Sequence, residues 1–565
     1  MMKFIYCLLT AGCLTAGRVS AQEKEMVALQ QHYDADKGSL LRFYRIENAP
    51  ERRERLKVFQ TDYLQQLNGV DFDKLSVAER VEYVLFRKKL QEEIRLLQVE
   101  ADEYKQVADW FPQADNIYAA EKRRRRGVKQ DAQALAGTLR DMSLALQEKT
   151  KQLNKATGLN ISLLRRGAGV TKGLQDAIHS IHNFYDGYDP LFTWWVPAPY
   201  KQLDSVLKAY GDNWQQLIKA MPGGKDDGSG IVGYPIGKAE LVRQLENELI
   251  PYSPEELIEI ANKEFAFCDA EMLKASEEMG FGKDWHKALE KVKNTYVPAG
   301  EQPDAIMKIY DESMAFLREK HLITVPPLAE ETWRMIMMSP DRQLVNPFFT
   351  GGEVLSISYP TNDMEEADKL MSMRGNNPHF SRATVHHELF AGHALEQFMN
   401  SRYKTYRNFD TPFWVEGWSL YWEMLLWDLK FPRSPEDRIG MLFWRMHRCA
   451  RILFSLNYHL GKWTPQQCTD FLVERVGHER ANAAGEVRRS FKGDYSPLYQ
   501  VAYMIGGLQF MALKKELVDS GKMTYQQYHD AVMKENCLPV EMLRAILTNQ
   551  QIGKDFKTNW RFYKL

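Results

Sequence analysis

Cysteine is scarce in this chain, with six in 565 residues. Cys7 and Cys13 fall in the opening stretch, and Cys268, Cys449, Cys468 and Cys537 are far apart with no CxxC spacing. That excludes a zinc finger and a disulfide-framed fold, and it leaves the last four as small buried apolar side chains. Net charge is nearly absent too, at −1 from 74 basic and 75 acidic residues. Nucleic-acid binders usually carry a basic excess, so no nucleic-acid partner is expected. Beyond the N-terminus no apolar run is long enough to span a bilayer. Strand signals are few, and neither an internal repeat nor a low-complexity tail is visible.

Residues 4–14 are mostly apolar after a weakly basic start, and Val19-Ser20-Ala21 offers a small-x-small cleavage site. Residues 1–21 therefore read as a secretory signal peptide, too short to be a membrane span. Ala11-Gly12-Cys13 also carries the small-small-Cys element of a lipoprotein signal. Cleavage after Ala21 and a lipid tether at Cys13 are both open. Either predicts an exported protein, periplasmic or attached to the cell envelope.

What fills the chain is helical periodicity. Ser76-Val77-Ala78-Glu79 is a capping box opening a helix to about residue 107, with Val81, Val84, Leu85, Ile94 and Leu97 at helical spacings. Ser253-Pro254-Glu255-Glu256 is a second box, and Gly280 closes its helix. Further helices are predicted near 25–45, 50–68, 130–156, 171–184, 201–220, 237–248, 303–320, 378–400, 412–430, 435–460, 464–477, 498–520, 525–535 and 539–549. Residues 333–338 and 354–359 read as two short strands, and the Gly- and Asp-rich segment 221–234 as a loop. The prediction is a mainly α fold, a large helical body over 22–565 around a deep cleft, with a small sheet beside helix 378–400. A split into 22–300 and a catalytic 301–565 is the alternative. The cations at 122–126 read as a solvated face near a helix end. Trp194, Trp195, Pro197 and Pro199 form an aromatic turn expected to pack in the core.

The chemistry is concentrated in His386-His387-Glu388-Leu389-Phe390-Ala391-Gly392-His393. Neutral imidazoles bind Zn²⁺ while leaving a position open, and an adjacent carboxylate can take a proton from water. His387 and His393 are six residues apart, about 600° of helical rotation, which leaves them about 120° apart around the axis. They can share a metal only if the helix breaks between them, and Gly392 permits a break. Glu416, among aromatic residues in Phe413-Trp414-Val415-Glu416-Gly417-Trp418, is a buried carboxylate in pattern, costly unless paired or bound to metal. It lies 29 residues after His387, enough for a loop and a return helix. Glu423 shares its face and could orient a ligand histidine.

These elements, HExxxGH and then F-x-x-EGW-x-LYxE, resemble the bacterial family called domain of unknown function 885. Its members usually read HExxPGH, EGWALYxE and a C-terminal PGQALxYKIG-like segment. Ala391 stands in place of the Pro, and the third motif survives weakly over residues 497–506, without its Gln and Lys. A further family element aligns with Arg451, His459 and Trp463. The resemblance implies a peptidase similar to helical zinc peptidases, with His387, His393 and Glu416 as ligands to one Zn²⁺ and Glu388 as general base. It places Tyr503 at the motif tyrosine, where its hydroxyl could meet an oxyanion, with His459 as second candidate. The strand over 354–359 could pair with an extended substrate backbone.

The reading is thus a zinc metallopeptidase acting on short peptides. The alternatives are a non-catalytic peptide-binding protein with a vestigial metal site, and a zinc hydrolase of non-peptide amides.

Overall fold

Helices begin where capping side chains put them. In the computed structural model, Ser76 and Glu79 exchange side chain-to-backbone hydrogen bonds at the start of helix Val77–Val107, and Ser253 and Glu256 do so before helix Pro254–Glu278. Each such cap stabilises by about 0.5–2 kcal/mol. Residues 21–221, 226–344, 346–407, 409–492 and 495–565 are described, with side chains from residue 25. The signal segment, Cys13 and part of the 221–234 loop lie outside them. The described chain is mainly α-helical. Among the described residues no helix is long and apolar enough to cross a membrane.

The sheet has two strands. Arg334–Met337 pairs in parallel with Val354–Ile357, Arg334 opposite Val354. On the other side of Val354–Ile357, Thr350 and Ser356 form an antiparallel bridge. This corrects the expectation that the 354–359 strand is open to a substrate. Both its edges are engaged, and Leu355, Ser356 and Ile357 are buried. The segment beside the site is instead 348–351, which lines its cavity.

Residues between Ile46 and Trp214 form an apolar core of their own. A smaller core joins residues from Met26 to Leu90, and two others run across residue 300. Helix Pro254–Glu278 lies against helix Pro435–His459, in a core that also takes residues up to Leu508. A neighbouring core joins Val81, Val84 and Leu85 to Leu389, Trp418 and Phe510. The four cysteines at 268, 449, 468 and 537 are buried with free thiols, as expected of small apolar fillers.

Two surface expectations fare differently. The 122–126 cations do sit at the end of a helix, Ala114–Arg124, where Arg124 and Arg125 pair with Glu121 and Lys122 with Glu51. The aromatic turn is not core: Trp194 is 80% exposed and Trp195 41%. Short helix Pro190–Trp195 buries Phe192 instead, and its remaining face is left to solvent.

The helices that carry the site are held by glycine contacts. Pro412–Asp428 packs against Tyr499–Lys514 with backbones nearly touching: a Cβ on Gly417 would lie 2.6 Å from Gly506 Cα, and one on Gly506 only 2.1 Å from the Phe413 carbonyl oxygen. A larger residue at either position would force the helices apart. That would separate Glu416 from the tyrosines opposite.

Candidate metal centre

The helix that starts at Pro378 stops at Glu388, and a new one runs His393–Asn400. Leu389 (φ −108°, ψ −109°) and Gly392 (φ −86°, ψ −134°) leave helical geometry. The break demanded by the six-residue spacing is therefore present. Gly392 is needed there for space, since a Cβ would fall 1.9 Å from the His387 carbonyl oxygen. Trp418 ties the break to the return helix, donating its indole N–H to the Ala391 carbonyl at 2.8 Å.

Turned by this break, His393 comes round to His387, their rings 4.9 Å apart and nearly perpendicular. Glu416 Oε2 lies 3.5 Å from His387 Nε2 and 3.3 Å from His393 Nε2. It is buried and has no hydrogen-bond partner. A tetrahedral zinc with bonds of roughly 2.0–2.1 Å sets its donors roughly 3.3–3.5 Å apart, so both Glu416–histidine separations match the ion. Donor atoms of His387, Glu388 and His393 also lie within 4.8 Å of one another, and Glu388 Oε1 is 4.0 Å from His387 Nε2.

The surroundings aim these groups. Glu423 Oε1 stands 2.7 Å from His387 Nδ1, and Glu396 Oε2 3.6 Å from His393 Nδ1. A carboxylate thus stands beside the far nitrogen of each ring, where it can orient the imidazole. Burial pushes the Glu423 carboxyl up, but Arg448, 2.9 Å away, and His387 outweigh it and bring it down to about 2. Burial opposes the charge of Glu416 as well, yet His393 and His387 hold it well below the usual carboxylate range. Glu388 accepts an N–H bond from Gly351 through Oε2, and its own carbonyl accepts from Gly352. A Cβ on Gly351 would meet Glu388 at 2.2 Å, so the 348–351 segment approaches this carboxylate as only glycine allows.

Of the two oxyanion candidates, Tyr503 is at the site and His459 is not. The Tyr503 ring lies parallel to that of His387, with centres 6.1 Å apart. Burial drives its phenol well above the ordinary value, so it stays a donor. His459 ends helix Pro435–His459, about two turns beyond Arg451, packed beside Tyr458 and Phe491. It is outside the cavity lining, and burial lowers it to about 4. Tyr499, which the sequence reading passed over, hydrogen-bonds Glu416 Oε1, and the Tyr503 hydroxyl donates to the Tyr499 oxygen at 3.4 Å. The two are one helical turn apart, a spacing that was available in the sequence.

These groups open on a cavity of about 290 Å³, which Arg448, Arg451, Arg489 and Tyr495 also line. Fold and site together define a mainly helical protein with a candidate two-histidine, one-glutamate metal centre beside the Glu388 carboxylate. The chain belongs to the family described as "Bacterial protein of unknown function (DUF885)", matched over residues 46–547. It is similar to two solved structures. One is "a putative lipoprotein of unknown function from Shewanella oneidensis", with TM-score 0.66 and 13% identity, covering 93% of this chain and 99% of that one. The other is "the putative lipoprotein from Colwellia psychrerythraea", with TM-score 0.59 and 15% identity, covering 94% and 99%. At such identities the likeness is one of fold. No curated protein sequence matches the chain.

Proposed function

We propose that this chain is a zinc-dependent peptidase acting on short peptides, exported to the periplasm or cell envelope. One observation carries the reading: Glu416 Oε2, buried and unpartnered, faces Nε2 of both His387 and His393 at zinc-like spacing, with Glu388 alongside. His387, His393 and Glu416 would hold the ion. When bound, Zn²⁺ supplies Lewis-acid polarisation of a carbonyl oxygen and acidifies water.

The chain's own residues do the rest. Glu388, fixed by the Gly351 N–H, takes a proton from water as its oxygen bonds to the peptide carbonyl carbon. The same carboxyl then gives that proton to the departing nitrogen as the C–N bond breaks. Tyr503, kept protonated by burial, would donate to the developing oxyanion. A cavity of about 290 Å³ is at the small end for ligand sites, which favours peptides over folded proteins. The lipoprotein descriptions of the two structural neighbours agree with a lipid tether.

The test is Glu388→Gln in zinc-loaded protein. The ion and the fold should be retained, while turnover of a mixed peptide pool falls at least about a hundredfold. Full activity in this variant would remove Glu388 from the reaction. A wild-type protein that binds peptides and zinc but turns nothing over would leave a non-catalytic binding protein.

A further inference from the structure

The arginine wall of the cavity holds more positive charge than its partners neutralise. Arg451 and Arg489 both lean on one carboxylate, Glu486, at 2.8 and 2.7 Å. Glu486 is fully buried and also accepts from Gln500 at 2.8 Å. The third guanidinium, Arg448, shares Glu423 with His387. Three cations thus face two carboxylates, one of them already engaged by a metal-ligand histidine. Arg451 is 2% exposed, and its Nη1 has no hydrogen-bond partner. Arg489 Nε is likewise buried and unpartnered. Buried charge without a partner is costly, so a site built this way calls for an anion.

The geometry says which anion. The Arg451 guanidinium lies 4.1 Å from the centre of the Tyr503 ring, which is itself 6.1 Å from that of His387. Together these steps span at most roughly three extended residues. Arg489 lies 5.3 Å from the Tyr495 ring, which packs on Tyr499 and through it reaches Glu416. A carboxylate held on this wall would therefore sit one to three residues from a carbonyl at the metal centre. Guanidinium forks suit a carboxylate because two parallel N–H donors meet its two oxygens.

We propose that Arg451 and Arg489 bind the free C-terminal carboxylate of a peptide, so that the site releases short C-terminal fragments. The inference rests on the peptidase reading, in which the ion meets the charge of Glu388 and Glu416 and leaves the arginine wall in excess. Hydrolysis is the same water addition as above. The carboxylate wall decides only which bond is presented.

The test uses one pool of N-acetylated tetrapeptides made both as free acids and as C-terminal amides. Zinc-loaded Glu388→Gln protein is equilibrated with each, and the retained peptides are weighed by mass spectrometry. Free acids should be retained at least about tenfold over amides. Arg489→Gln should abolish the preference, and Arg489→Lys should restore part of it. Equal retention of acids and amides, or retention of neither, overturns the proposal. The acid-against-amide comparison in Glu388→Gln protein with both arginines intact decides even if an arginine variant fails to fold. Cleavage by the active enzyme separates the two claims. If amides are cut as fast as acids at internal bonds, the carboxylate wall is refuted and the peptidase reading stands. If acids are preferentially retained but no peptide is cut, the wall stands and the peptidase reading falls.

Discussion

Glu423 Oε1 lies 2.7 Å from Nδ1 of His387, two turns along the helix that carries Glu416. A single helix thus supplies a candidate ligand and the carboxylate that orients another ligand. Removing the charge of Glu423 should loosen the imidazole without removing a donor. Glu423→Gln is expected to weaken zinc binding roughly 10–100-fold, measured by competition with a chelator. Unchanged affinity would mean that His387 is held by packing alone.

The two tyrosines should separate by role. Tyr503→Phe keeps the ring beside His387 and removes the hydroxyl proposed to meet the oxyanion. It should lower kcat about a hundred- to a thousandfold with little change in KM. Tyr499→Phe leaves Glu416 Oε1 without its donor, so its first effect should be on zinc affinity. If Tyr503→Phe is as active as wild type, the oxyanion role is not its own.

Close helix packing gives a prediction independent of any activity. Gly506→Ala places a Cβ 2.1 Å from the Phe413 carbonyl oxygen and must move backbone. A loss of about 1–3 kcal/mol is expected in urea or thermal unfolding, as for other overpacked sites. Gly137→Ala is the control, since a Cβ there meets nothing within 4 Å inside helix Ala132–Leu153. It should be neutral or stabilise by about 0.4–1 kcal/mol.

The line between what was legible and what was not follows the physics of each signal. Capping boxes at Ser76 and Ser253 and the broken helix before His393 could be read because they depend on neighbours in sequence. Helices Trp285–Lys293, Glu366–Gly375 and Arg480–Phe491 were missed, being short or weakly patterned, and anchored by tertiary contacts. Arg489 went unseen for the same reason, because its meaning lies in sharing Glu486 with Arg451. Motif matching favoured Tyr503 and passed over Tyr499, although the latter touches Glu416. His459 matched the family element, yet its helix carries it past the cavity. Apolar character alone could not say that Trp194 faces water, since that depends on what packs beside it.

Three buried imidazoles away from the cluster set an acid limit. Burial lowers His459 to about 4, and His478 and His529 to about 3. Unfolded, each protonates near about 6.5. As pH falls below that value the unfolded chain gains protons that the folded chain refuses, so stability falls. The stability they protect is fully present above about pH 6.5 and is lost on the way down to 4 and below, each imidazole contributing up to about 1.4 kcal/mol per pH unit. Urea unfolding from pH 7.5 to 4.5 should show it, and His529→Gln should flatten the slope. A slope unchanged in that variant would show that His529 titrates normally in the fold.

The central claim is that His387, His393 and Glu416 form one metal site, and metal content tests it most directly. Purified protein, equilibrated with zinc and dialysed, should hold about one Zn²⁺ per chain by elemental analysis. His387→Ala, His393→Ala and Glu416→Ala, each shown to be folded by circular dichroism, should each be largely empty. Three folded variants that keep a full equivalent of zinc, or a wild-type protein that binds none, would contradict the account.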